Sequence, residues 1–395
     1  VTLGGDQLTR VRMQGAKDLK ALSTTAQGRL AHLEPVVCEL WHLKQDFLEV
    51  TNSIRLFYGK ATAADQGTLF HLKTILKKKP DVNGKVKSNF KAHSEFLCLV
   101  AKELIREQAL EIMDACAPLI PANIKVATKD RKCVIRDEIV FKMMEMFGYN
   151  EGDTSLPNGD HDELFNYSCQ LCQWGIHFLA LDDTAKEGDI KRIQPNLLKC
   201  IPFFYSHSKL SKYLVECVDI ILKCESSSPL SRIRILEGFF VNRKGGQGNN
   251  VEADLVQEHS VRHQKELIRA LGANKSDKAI LRATGAANLV TSLVENYDTA
   301  LSVPITCIKG SNHGTCTNEK DMTVIRECLR STRPFKHTPG RKCTPHKFVL
   351  PKFKVNVSKL LTDLKVIIDR LSYGLIDGNS HEEDEHGEND GLPDI

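Results

Sequence analysis

Strand-like and helix-like stretches alternate only within the first 59 residues, and nearly everything beyond them carries helical periodicity. That asymmetry restricts the fold classes open to the chain. VTLGG (Val1–Gly5) reads as the end of a buried strand, and a helix-like stretch follows from Leu8 to Leu22. PVVCELWH (Pro35–His42) is a second apolar run, continued by the helical LKQDFLEVTNSIRLFYG. The order strand, helix, strand, helix is an α/β fragment. The expectation is a mostly α protein with a small α/β part.

The helical period then predicts elements over Gly67–Leu76, Asn89–Ala117, Ile135–Phe147, Glu163–Leu181, Leu210–Cys224 and Arg232–Asn242. A polar loop, Tyr149–Asp160, interrupts them. NRKGGQGNN (Asn242–Asn250) reads as a Gly/Asn-rich hinge before helices over Glu252–Gly272 and Lys275–Asn296. Five segments result: an α/β core fragment (1–59), a helical insertion (60–241), late helices completing the core (242–300), a basic Pro/Phe-containing strap with a final helix (301–376), and an acidic tail (377–395).

Charge is divided along the chain. The tail holds eight acids and no Lys or Arg, so 54 cations face 42 acids over residues 1–376, a formal +12 beneath the net +4. A basic body favours polyanions, whereas a like-charged tail stays solvated and disordered. Two stretches concentrate the cations: Leu76–Lys91 and RSTRPFKHTPGRKCTPHKFVLPKFK (Arg330–Lys354). In the second, Arg330, Arg333, Lys336, Arg341 and Lys342 interleave with Phe335, Phe348 and Phe353, and four prolines hold it extended. This suits phosphate contact with base stacking, and equally a loop that wraps the body with its Phe side chains tucked in.

No apolar run reaches the ~20 residues of a membrane helix. Thirteen scattered cysteines, an odd number, argue for reduced thiols and a nuclear or cytoplasmic setting. There is no signal peptide at Val1, and the start without Met suggests a portion of a longer product. P-loop, dinucleotide and G-x-S-x-G motifs are missing, so the common nucleotide and hydrolase readings fall away.

Asp6 follows the first strand's Gly pair, where it either projects into the crevice above a sheet or caps the next helix. Glu258 sits at the edge of an apolar stripe on its helix, available to a metal or basic partner, or paired with Arg262 at i+4. His259 and His263 share a face, but not in the metalloprotease order. Cys38/His42, Cys169/Cys172/His177 and Cys307/His313/Cys316 are partial zinc patterns, each short of four convergent ligands.

The trio GDQLT (Gly5–Thr9), PVVCELWHLKQDFL (Pro35–Leu48) and FFVNRKGGQGNNVEADLVQEH (Phe239–His259) resembles a family of uncharacterised eukaryotic domains of transposon derivation, from Asp6 to about Asp298. The order also resembles cut-and-paste transposases with a ribonuclease-H-like core: an Asp at a strand end, a Cys/His pair at the next strand, a helical insertion, then a late Glu. The resemblance implies a partial ribonuclease-H-like core interrupted by a large helical insertion. It also implies Asp6 and Glu258 as Mg²⁺-binding carboxylates with His42 beside them, and DNA as partner. Two departures stand out. Such transposases usually show C-x-x-H, whereas this chain has C-x-x-x-H, and the first Asp would lie upstream of Val1. The expectation is therefore a transposase-derived nucleic-acid-binding protein with an incomplete two-metal site. The alternative is a helical scaffold in which Asp6 is a cap and Glu258 a surface ion pair.

Overall fold

The computed structural model describes residues 2–53, 65–78, 81–82, 86–117, 120, 123–147, 162–205, 211–285, 289, 293, 296–297, 300–301, 319–342 and 356–373. The acidic tail, the loop Tyr149–Asp160, the Cys307/His313/Cys316 group and the strap beyond Lys342 up to Val355 lie outside the described residues. The fold is mostly helical. In order, the helices are α1 (Gln7–Leu19), α2 (Leu40–Ser53), α3 (Leu69–Ile75), α4 (Phe90–Cys116), α5 (Lys129–Met146), α6 (Glu163–Glu187) and α7 (Ile190–Tyr205). They continue with α8 (Ser211–Ser226), α9 (Pro229–Glu237), α10 (Ala253–Ala270), α11 (Asp277–Thr284), α12 (Glu319–Thr332) and α13 (Val357–Tyr373). Strands are β1 (Leu3–Gly5), β2 (Val36–Cys38), β3 (Phe240–Val241) and β4 (Val251–Glu252).

Two compact units divide the chain. The first comprises Val1–His42, Ala185–Ile190 and Ser227–Thr317; the second comprises Leu43–Thr184, Lys191–Ser226 and Asn318–Ile395.

In the first unit β1 and β2 pair in parallel, Leu3 opposite Val36 and Gly5 opposite Cys38. All three β2 residues are buried, which is why VVC is continuously apolar instead of alternating. The Gly pair has a steric cause. A Cβ on Gly4 would fall 1.6 Å from Glu39 Oε1, and one on Gly5 would fall 2.7 Å from the Thr9 methyl. The bare Gly4 backbone leaves room for the Glu39 carboxylate where it now lies, and the bare Gly5 leaves room for Thr9 in the first turn of α1. The predicted late helix at Arg232–Asn242 stops at Glu237, because the aromatic and β-branched FFV run pairs as β3 with β4 in an antiparallel hairpin. The Gly/Asn stretch is thus the hairpin's loop. Among the described residues the sheets are two separate two-stranded pairs, and a ribonuclease-H-like core is not shown.

The second unit is helix on helix. Phe47, Trp174, Phe178 and Phe204 bury completely or nearly so, with Phe47 and Trp174 rings 5.5 Å apart. A Cβ on Gly175 would meet Ala101 Cβ at 2.4 Å, so α4 and α6 approach through this glycine. Periodicity reading missed α7, whose interior holds Pro195 and Pro202; its buried face of Ile193, Leu197, Cys200 and Phe204 overrides the breaker signal. It also missed α12, which packs Ile325 and Leu329 inward.

Candidate functional site

The first unit gathers its polar side chains at the carboxyl ends of β1 and β2. Asp6 directly follows β1 and caps α1, its Oδ1 accepting from Thr9 N–H at 2.7 Å. Capping and position at the strand end therefore hold together for this residue, not as alternatives.

The second contributor is α2, which starts two residues after β2. Its first turn is capped from far along the chain: Asp254 accepts the N–H of Trp41 through Oδ1 (3.1 Å) and that of His42 through Oδ2 (3.0 Å). The same Oδ2 lies 3.0 Å from His42 Nδ1, and a carboxylate only accepts, so Nδ1 carries the proton in that bond. Nε2 is thereby turned toward Glu258, whose Oε1 is 3.9 Å away. Asp254 and Glu258 share a face because they are four residues apart on α10. The β3–β4 hairpin aims that helix, with Ala253 N–H bonded to the Phe239 carbonyl at 2.9 Å.

Glu39 completes the group. Burial, then the charge of Asp254, push its carboxyl up to about 7, with His42 offsetting only part. For His42, burial acts downward first, but the Asp254 hydrogen bond and the charges of Asp254, Asp6 and Glu258 outweigh it and raise the imidazole above its ordinary value. Charging the imidazole is thus favoured by the acids around it, which offset the cost of burying it.

Of the residues named from the sequence, His42 and Glu258 face each other at 3.9 Å, and Asp6 caps α1 at the strand end, its charge acting on the His42 imidazole. Sequence reasoning missed Glu39 and the role of Asp254. The signal for Asp254 was its i−4 spacing from Glu258; for Glu39 it was the otherwise unexplained Gly4. The expected Glu258–Arg262 partnership gives way to another arrangement, in which Arg262 Nε meets Glu266 at 3.4 Å.

Carboxylate oxygens are the right donor class for Mg²⁺. Both Asp254 oxygens are committed to α2 and His42, however, and among the described residues no three Asp, Glu, His or Cys side chains converge as a metal site. The residues as arranged do not fit a two-metal centre.

Residues 1–306 match a sequence family described as "Family of unknown function (DUF6589)". The chain belongs to the DUF6589 family. No curated protein and no solved structure matches it. The family match spans all three motifs that carried the resemblance to an uncharacterised domain, and its description assigns no activity.

In the second unit of this DUF6589 chain, the strap cations sit among carboxylates. Arg330 lies on α12 instead of an extended segment, its Nε 3.9 Å from Glu107. Arg333 bonds both Glu111 oxygens at 3.0 and 3.1 Å. With Arg326 on the buried Glu103 (3.0 Å twice), these pairs form an acid–base ladder of Glu103, Glu107 and Glu111 along α4. Arg341 grips the fully buried Asp162 at 2.8 and 2.6 Å and also donates to the carbonyls of Thr332 and Lys336. Lys336 and Lys342 are exposed. Phe335 is 4 % exposed and packs on Phe147 at 5.2 Å, tucked in and not offered for stacking.

The described cysteines are all free thiols. Cys169 and Cys172 lie in the α6 core; His177 Nε2 faces Cys200 Sγ at 3.1 Å, but burial lowers the imidazole to about 4 and raises the thiol. That pair is neutral and unreactive. Among the described residues no helix is long and apolar enough to cross a membrane.

Proposed function

We propose that this DUF6589 chain is a transposase-derived, nucleic-acid-binding protein whose former strand-transfer site is reduced to a carboxylate–histidine group without metal-dependent chemistry. What supports the reading is that His42 Nε2, beside the strand ends of a parallel pair, lies 3.9 Å from Glu258 Oε1, and that the charge of Asp6, some 250 residues from Glu258 in sequence, also acts on that imidazole. Strand ends of α/β sheets are where such sites are built. In this reading Asp254 fixes the imidazole, and Glu258 with Asp6 supplies the acids that a complete site would turn toward a metal. Binding comes from the basic body, with Lys336, Lys342 and the outward parts of Arg330 and Arg333 as strap contacts.

A helical interaction module without nucleic-acid affinity is the second reading. It draws support from the ladder on α4, which answers strap arginines with carboxylates.

The test is DNA binding by the purified chain over a salt series, with Mg²⁺ present and cleavage products followed in the same tubes. The expected result is affinity that falls steeply with salt and no cleavage. Absence of binding at low salt would leave the interaction module. Cleavage that an Asp6→Asn variant abolishes, with affinity unchanged, would mean that the site is complete.

A further inference from the structure

The β3–β4 hairpin loop, Asn242–Asn250, has an organisation that neither the acid group nor the strap uses. Gly245, Gly246 and Gly248 have φ of +70°, +75° and +75°, a backbone shape that L side chains rarely adopt. Every amide side chain of the loop is engaged in a hydrogen bond within the chain. Asn242 Nδ2 donates to the Gly246 carbonyl and Asn249 Nδ2 to that of Gly245, both at 2.8 Å. Gln247 Nε2 reaches Glu187 Oε2 at 2.9 Å, and Asn250 Nδ2 the Lys186 carbonyl at 3.0 Å. The loop is thus tied to itself and to the end of α6, so a ligand need not order it.

What remains outward is basic. Arg243 and Lys244 are exposed. Around Gly245 there is open space, so a ligand can come directly against the backbone. Arg243 also lies close enough to α10 that, after burial, its charge and that of Arg262, itself paired with Glu266, lower the His259 imidazole. The acid at the loop's base, Glu187, is already engaged by Gln247. Turn backbone N–H groups beside cations are a known way to bind anions, and here three glycines of positive φ stand next to Arg243 and Lys244.

We propose that this hairpin tip is a docking site for the phosphate backbone of DNA, with Arg243 and Lys244 as the phosphate contacts and the glycines allowing close approach. The choice of DNA rests on the nucleic-acid reading above.

The experiment is fluorescence anisotropy with a short labelled DNA duplex over a salt series, comparing the full chain with Arg243→Gln/Lys244→Gln and with Lys336→Gln/Lys342→Gln. Both pairs are exposed, and circular dichroism checks that each variant folds. The hairpin variant is expected to bind roughly tenfold more weakly, with the salt slope reduced by about 2. A Gly245→Ala variant, which retains every charge but disfavours the loop shape, should also weaken binding. If the parent chain binds DNA and the hairpin variant matches it in affinity and slope, the hairpin proposal is overturned while the nucleic-acid reading stands. If the parent chain does not bind, both fall. Inorganic phosphate as competitor separates the sources of anion: displacement of the duplex by free phosphate at moderate concentration would overturn a polymer-backbone site.

Discussion

His42 and Asp254 are joined twice: one carboxylate oxygen, Asp254 Oδ2, lies 3.0 Å from both the backbone nitrogen and the ring Nδ1 of His42. The carboxylate therefore starts helix α2 and orients the side chain in its first turn. Replacing it with Asn removes a buried charge-assisted acceptor and should cost about 2–4 kcal/mol. Chemical denaturation followed by circular dichroism measures this, and the His42 imidazole followed by NMR should titrate lower than in the parent. Unchanged stability together with an unchanged imidazole titration would mean that Asp254 is not the element fixing His42.

Stability should fall as pH rises from mildly acid to mildly alkaline. Glu39 ordinarily titrates at 4.5 and is held at about 7, so the folded state keeps a proton that the unfolded chain releases between these values. His42, raised from 6.5, acts in the same direction: its stabilising charge is present below 6.5 and lost above its folded value. Glu39→Gln should leave stability nearly unchanged near pH 4 and raise it at pH 8, by up to about 3 kcal/mol. Thermal melts at the two pH values decide; an equal effect at both would show that Glu39 is not held protonated.

Gly175 is where α4 and α6 touch. Alanine there places a methyl 2.4 Å from Ala101 Cβ and should destabilise by about 1–3 kcal/mol despite alanine's better helix propensity. The double variant Ala101→Gly/Gly175→Ala should recover much of the loss, which urea titration would reveal. If the double variant were worse than Gly175→Ala alone, the two residues would not be the point of approach.

Arg341→Lys keeps the charge and loses the fork on Asp162. Because the Asp162 side chain is fully buried and also caps α6 through Phe165 N–H (2.9 Å), the change should cost about 2 kcal/mol or more. Its DNA salt slope, measured where the variant is still folded, should match the parent. A reduced slope would make Arg341 a phosphate contact instead of a staple.

The sequence by itself determined the mostly helical character, the opening strand–helix–strand–helix order and the order in which the candidate residues occur. Helical period located most helices within a few residues, since an amphipathic face must recur at 3.6. A fully buried strand needs a short, continuously apolar run, and VVC is one. Asp6 and Glu258 drew notice because one stands where a helix begins and the other where polar meets apolar, and His42 through the resemblance. Local pattern could not show what long-range packing decided. Prolines 195 and 202 hid α7, whose buried face outweighs two missing N–H groups, and the cations of the strap looked like a surface until α4 presented its glutamates to them. Asp254 caps a helix more than two hundred residues away, and no spacing rule reaches that far. Glu39 becomes a near-neutral acid only because folding lays it across Gly4 and beside Asp254, out of water and next to like charge. Desolvation and charge proximity are properties of the assembled structure, so the chemistry of this site was decided in three dimensions.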